Sequence, residues 1–190
     1  MKPASLALVA LMGLAAAGCA NVAMPAPQPS LPTIRALRDG DLPALKVADF
    51  SLAPGMSQSS YSSVTIRSVV LSPPGGGDLA AYLQHTLEAD LRAGGKLDDK
   101  SALGVSGILT KSDVSSAIGT GSGSLAAKFS LRKADKVVFE KDFSVSDQWD
   151  SSFIGAEAIP DAMNHYTALY DKLVQKLLTD TDFEAAAKTQ

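Results

Sequence analysis

The sequence predicts an α+β fold: a mainly antiparallel sheet with two long helices on one face. Three observations predict it. Residues 124–132 and 136–147 alternate apolar and polar positions, the pattern of adjacent strands with one buried face. Leu79, Leu83, Leu87 and Leu91 recur every four residues with Tyr82 beside them, which marks one face of a helix. Met163, Tyr166, Leu169, Tyr170, Leu173, Val174 and Leu177 mark a second such face near the C-terminus.

The chain starts with one positive charge at Lys2 and an apolar run over 6–17, LALVALMGLAAA. A helix needs roughly 20 apolar residues to span a bilayer, so this run is too short. It has the length of the core of a secretory signal. It ends in Ala16-Ala17-Gly18-Cys19, which resembles the bacterial lipobox, although Ala16 stands where that motif prefers Leu. The resemblance implies cleavage before Cys19 and attachment of acyl chains, of the palmitate kind, to that residue. Several chains are needed because one gives only marginal binding. Cys19 is also the sole cysteine, so no internal disulfide is available to it. The alternative is ordinary cleavage at an A-x-A site, which Ala15-Ala16-Ala17 would satisfy. The residue after Cys19 is Ala20 rather than Asp. By likeness to proteobacterial sorting rules, this implies the outer membrane, with the domain facing the periplasm.

Prolines 25, 27, 29, 32 and 43 crowd the next stretch. Proline lacks the N–H that a helix interior or central strand needs. Residues 19–46 are therefore expected to form a lipidated, Pro-rich tether after a signal peptide over 1–18. A single α+β domain is expected over 47–190.

Within that domain, strands are expected at 47–52 and 64–71. The run Ser72-Pro73-Pro74-Gly75-Gly76-Gly77 ends the second. Asp78 is a suitable N-cap for the first long helix, and Gly94-Gly95 suits its end. Three more strands are expected at 103–118, 124–132 and 136–147. The expected inward positions are Leu103, Val105, Gly107 and Leu109, then Leu125, Ala127, Phe129 and Leu131, then Val137, Phe139, Phe143 and Val145. The glycine-rich 119–123 is expected to be a flexible turn. The chain then leaves the sheet through a loop starting at Trp149. The second long helix is expected over 160–178, with Pro160 in its first turn. Residues 182–187 add a short turn.

Composition narrows the function. With 46% hydrophobic and 19% charged residues, the chain can build one ordinary core. The formal net charge is −3, and cleavage before Cys19 removes Lys2 and no acid. Without a basic block, nucleic acid and anionic lipid headgroups are poor partners. His85 and His165 have no metal-spaced Cys, His or carboxylate partners and are expected to be solvated shoulder residues. There is no G-x-S-x-G elbow. The glycines at 119–123 lack phosphate-loop spacing. Gly75-Gly76-Gly77 precedes a helix, but no Lys or Arg follows in the first turn. Asp98-Asp99 and Asp180-Thr181-Asp182 lack the ligand set of a calcium loop. No catalytic residue, cofactor or metal is expected, and an enzyme is the least supported class.

The segment 149–160 gathers the one Trp with Phe153 and Ile154. Aromatic residues on loops are favoured anchors, so Trp149, Phe153 and Ile154 are the candidate partner-binding residues. The opposing reading is that Trp149 and Phe153 close one end of the core. The run Trp149-Asp150-Ser151-Ser152-Phe153-Ile154-Gly155-Ala156, with Ala158-Ile159-Pro160, Asn164-His165-Tyr166, Leu169 and Lys176-Leu177-Leu178, resembles a group of small proteobacterial envelope lipoproteins. In layout the group is similar to the lipopolysaccharide-assembly lipoprotein and to auxiliary lipoproteins of lipid-transport ABC systems. The resemblance implies a non-enzymatic accessory subunit that docks on an envelope protein partner. The competing expectation is a module binding a lipid or glycan in a cavity lined by Leu87, Leu91, Phe129, Phe139 and Tyr170.

Overall fold

A computed structural model of the chain describes residues 20–56 and 61–189. The signal segment and Cys19 lie outside the described residues. The elements run β1 (Ala20–Ala23), α1 (Leu31–Asp39), β2 (Lys46–Leu52), β3 (Val64–Ile66), β4 (Val69–Ser72), α2 (Leu79–Ala93), β5 (Leu103–Ser116), β6 (Gly119–Lys133), β7 (Lys136–Ser151), α3 (Gly155–Leu178) and α4 (Thr181–Lys188). One sheet has the order β1-β4-β3 and the other β2-β5-β6-β7. β1 pairs with β4, and β2 with β5, in parallel; the remaining pairs are antiparallel. The class is α+β, as the alternation and the helical faces predict.

The long sheet and α2 and α3 share one core. α2 lies over β2 and β5, and α3 lies over β6 and β7. Leu83, Leu87 and Leu91 from α2 are fully buried with Leu125, Ala127, Phe129 and Leu131 from β6 and Leu169, Leu173 and Leu177 from α3. Rings meet edge to face: Phe129 with Phe50 and Phe143, Tyr82 with Tyr170, and Phe139 with Phe183. Asp78 caps α2 by accepting from the Ala81 N–H at 2.8 Å, as its position predicts.

Five expectations need correction. The first is the tether. β1 begins at Ala20, and Met24, Thr33, Leu37, Leu42 and Leu45 are all buried. The prolines permit this because they fall where no N–H is required. Pro32 sits in the first turn of α1, and the Pro25 carbonyl accepts from the Tyr82 hydroxyl at 3.0 Å.

The second is the glycine-rich turn. Gly119–Lys133 is strand throughout, and the connection from β5 is only Ala117-Ile118. Gly121 and Gly123 make room for side chains. A Cβ on Gly121 would overlap the Trp149 indole, and one on Gly123 would come within 2.8 Å of Leu169 Cδ1.

The third is Val137, which is 43% exposed rather than inward. A register shift after Leu131↔Phe139 makes Arg132 pair with Val137, leaving Val138 extra. A similar shift in β5 after Leu109 moves the inward positions from odd to even, so that Ser112 and Ser116 are buried.

The fourth is the single strand at 64–71. It is a hairpin broken at Arg67, whose φ of 54° lies in the left-handed region that favours glycine.

The fifth is the start of the second long helix. α3 starts at Gly155, which places Pro160 inside it, one turn later than expected. The proline forgoes one intrahelical bond there.

Candidate functional site

β1 and the hairpin turn position one end of the molecule. Ala20 pairs with Val69, two residues beyond Arg67. The Arg67 guanidinium crosses to the ends of the long sheet. It donates to the Ser152 carbonyl at 2.6 Å, the Ser116 carbonyl at 3.0 Å and the Phe153 carbonyl at 3.3 Å. Ser152 Oγ accepts from the Ile154 N–H and donates to Glu157 Oε2 at 2.9 Å. The backbone around 152–154 is thus fixed. The neighbouring side chains nevertheless point outward: Phe153 is 79% exposed, Ile154 55%, and Ile118 in the β5–β6 turn 67%. Of the three candidate partner residues, the structure brings Phe153 and Ile154 together at this end and adds Ile118. Sequence reasoning missed Ile118 and Arg67. The available signal was an apolar residue in a two-residue turn and a lone cation inside a β-branched run.

Trp149 does not belong to that exposed group. It lies within β7, opposite Gly121, and is only 8% exposed. The reading that closes the core is correct for Trp149 and incorrect for Phe153. Its indole stacks on the His165 ring, with centroids 4.5 Å apart and planes 4° apart. His165 Nδ1 lies 3.0 Å from Asp147 Oδ2, and Lys172 Nζ donates to the same oxygen at 2.8 Å. These two bonds, the Lys172 one foremost, pull the Asp147 carboxyl down to about 2. His165 is therefore not the solvated residue expected from its shoulder position. It is part of a stacked, ion-paired brace joining α3 to β7. His85 remains exposed, with Glu88 Oε2 at 3.4 Å.

A second polar group is buried beneath α1. The Asp90 carboxylate is 0% exposed, and its Oδ1 accepts from the Ser30 N–H at 2.6 Å. Its Oδ2 has no partner, and neither has the buried Thr33 Oγ1. Burial raises Asp90 to about 6, against the lowering effect of the Ser30 N–H. Burial, together with the Asp90 charge, raises Asp171 to about 6 as well. Next to them, Ser112 Oγ, Tyr166 OH and Tyr170 OH form a chain at 2.6 and 3.0 Å. Burial pushes the Tyr82 and Tyr166 hydroxyls up to about 12. These phenols stay neutral at any working pH and serve as structural donors and acceptors.

Leu87, Leu91, Phe129, Phe139 and Tyr170, the expected lining of an internal ligand cavity, are instead packed in the common core. A depression of about 530 Å³ lies on the outer face of the long sheet, lined by Ser122, Ser124, Ser146, Asp113 and Gln148 among others. Among the described residues, no three of His, Cys, Asp and Glu converge to hold a metal ion. No helix among them is long and apolar enough to cross a membrane.

No protein-family model and no curated protein matches the sequence. Solved structures do resemble the fold. A Xanthomonas campestris protein of the DUF330 family is 15% identical, covering 89% of this chain and 99% of its own, with a TM-score of 0.57. A Chlamydia trachomatis protein is 8% identical, covering 77% and 99%, with a TM-score of 0.48. A minor lipoprotein of Acinetobacter baumannii is 10% identical, covering 74% and 91%, with a TM-score of 0.41. The first establishes a shared fold. The likeness to the lipopolysaccharide-assembly lipoprotein is not carried by these structures.

Proposed function

We propose that this chain is an envelope lipoprotein, cleaved before Cys19, lipidated there and held on the outer membrane with its domain in the periplasm. In this reading it acts as a non-enzymatic accessory subunit of an envelope transport or assembly system. The observation that carries the anchor is the Ala16-Ala17-Gly18-Cys19 site at the end of a short apolar run, on the only cysteine of the chain. Several acyl chains on one residue hold a domain firmly, whereas one does so marginally.

The accessory role is supported by what the polar groups are engaged in. His165, Asp147 and Lys172 brace α3 against β7, and Ser112, Tyr166 and Tyr170 bond to one another inside the core. β2 and β3 each form the edge of a sheet, and such edges offer backbone groups to a partner strand. Crosslinking in intact cells followed by pull-down of the native protein tests the reading, with Cys19→Ser as the anchor-free control. Recovery of one envelope complex from the native chain, and its loss from the control, is the expected result. Recovery of no envelope protein from the native chain would refute the accessory role.

A further inference from the structure

We infer that the end of the fold carrying Ile118, Phe153 and Ile154 is laid against the lipid bilayer, with these side chains at the boundary of headgroups and acyl chains. The inference rests on lipidation of Cys19. β1 begins at Ala20, so no residue separates the acylated position from the folded sheet, and one Cα step is about 3.8 Å. The anchor leaves the domain no room to stand off from the membrane.

The register then decides which end is brought down. β1 runs parallel to β4 with Ala20 opposite Val69 and Ala23 opposite Ser72. The anchored end of β1 is therefore the end nearest the hairpin turn at Arg67. The Arg67 guanidinium ties that turn to the carbonyls of Ser116, Ser152 and Phe153, so the 117–118 turn and the 152–154 loop share the same end. These two loops hold three of the large apolar side chains left exposed among the described residues. Single exposed apolar side chains are ordinary, but several at one end, next to an acyl anchor, fit the boundary of headgroups and acyl chains. Arg67 tolerates an unfavourable φ at the turn that makes the arrangement.

Charge identifies the kind of surface. The cluster is accompanied by one cation, Arg67, and by the exposed acids Asp150 and Glu157. This is not a polybasic patch, and attraction to anionic headgroups is not what holds it. Contact with lipid is therefore expected to be insensitive to the fraction of anionic lipid.

The test uses the mature, acylated chain recovered from membranes and placed in phosphatidylcholine vesicles. Acylation consumes the only native thiol, so Ile118→Cys, Phe153→Cys or Val137→Cys each supplies a unique labelling site. Val137 is exposed on the same strand that ends at Ser151, fourteen residues away, or about 45 Å at 3.3 Å per residue. An environment-sensitive fluorophore at 118 or 153 should be quenched several-fold more by nitroxide-bearing lipid than one at 137, with or without added anionic lipid. Equal, weak quenching at all three sites on a chain that floats with the vesicles would overturn the inference while leaving the anchor intact. It would also leave Phe153 and Ile154 free for a protein partner. A chain that does not float would overturn the anchor and the inference together.

Discussion

Replacing Asp90 with Asn isolates the electrostatic cost of holding α1 against α2. Asp90 is fully buried, its Oδ1 accepts from the Ser30 N–H at 2.6 Å, and its Oδ2 has no partner. Burial raises its pKa from 3.8 to about 6. The folded state therefore holds this proton more tightly than the unfolded chain. Its contribution is most favourable below about pH 4 and is lost as pH rises through about 6. At 1.36 kcal/mol per pH unit, a displacement of this size sets an upper bound of about 3 kcal/mol at neutral pH. Relaxation and water entry reduce that to about 1–3 kcal/mol. Asn keeps an acceptor for Ser30 and carries no charge. Asp90→Asn should therefore raise stability by about 1–3 kcal/mol at pH 7.5 and change it little at pH 4. For a chain of this size, each kcal/mol moves Tm by about 2–4 °C. Urea denaturation at pH 4, 6 and 7.5 measures the effect. A variant less stable than the parent at pH 7.5 would refute the reasoning, because it would mean that the ionised carboxylate supports the N-terminus of α1 more than burial penalises it.

Four further outcomes follow from particular contacts. Gly121→Ala places a methyl group in the Trp149 indole and should cost about 1–3 kcal/mol; unchanged Trp emission would argue against that packing. Arg67→Ala removes donors to three carbonyls and should cost about 1–3 kcal/mol, with faster hydrogen exchange around residues 152–155. Asp147, held at about 2 by Lys172 and His165, stabilises the fold above about pH 4 and loses that contribution as pH falls toward 2; Asp147→Asn should flatten this acid limb by no more than about 1 kcal/mol at its partly exposed site. Asp180→Ala deletes the cap that accepts from the Asp182 and Phe183 N–H groups and should cost about 0.5–2 kcal/mol, seen first as fraying of α4.

The legible parts of the fold were those in which one local pattern dominates. The four-residue spacing of Leu79 to Leu91 and the alternation from Leu125 to Leu131 report a single buried face, and both faces are buried as the pattern implies. Less was legible where a residue's role depends on a distant neighbour. Gly121 and Gly123 look like turn residues until Trp149 and Leu169 are known to pack over them. Pro25 looks like a linker residue until Tyr82 is seen to donate to its carbonyl. The buried Leu37, Leu42 and Leu45 were obscured by the prolines around them, which exclude a helix interior without excluding tertiary packing. Val137 lies on the outer face, against the alternation, because a bulge shifts the period by one residue. At the candidate site, composition shows that Trp149, Phe153 and Ile154 lie close in sequence, but not that Phe153 and Ile154 are exposed while Trp149 is buried. Trp149 differs from them because β7 continues four residues past the end of the alternating pattern and carries it into the sheet.

The chemistry of Cys19 decides where the domain sits. Mass spectrometry of the N-terminal peptide from the native, membrane-extracted protein tests it most directly. The predicted result is a peptide that begins at Cys19 and carries several acyl chains. A peptide with an unmodified Cys19 thiol, or a mature chain that begins elsewhere, would contradict the account and leave the domain without the anchor on which its placement depends.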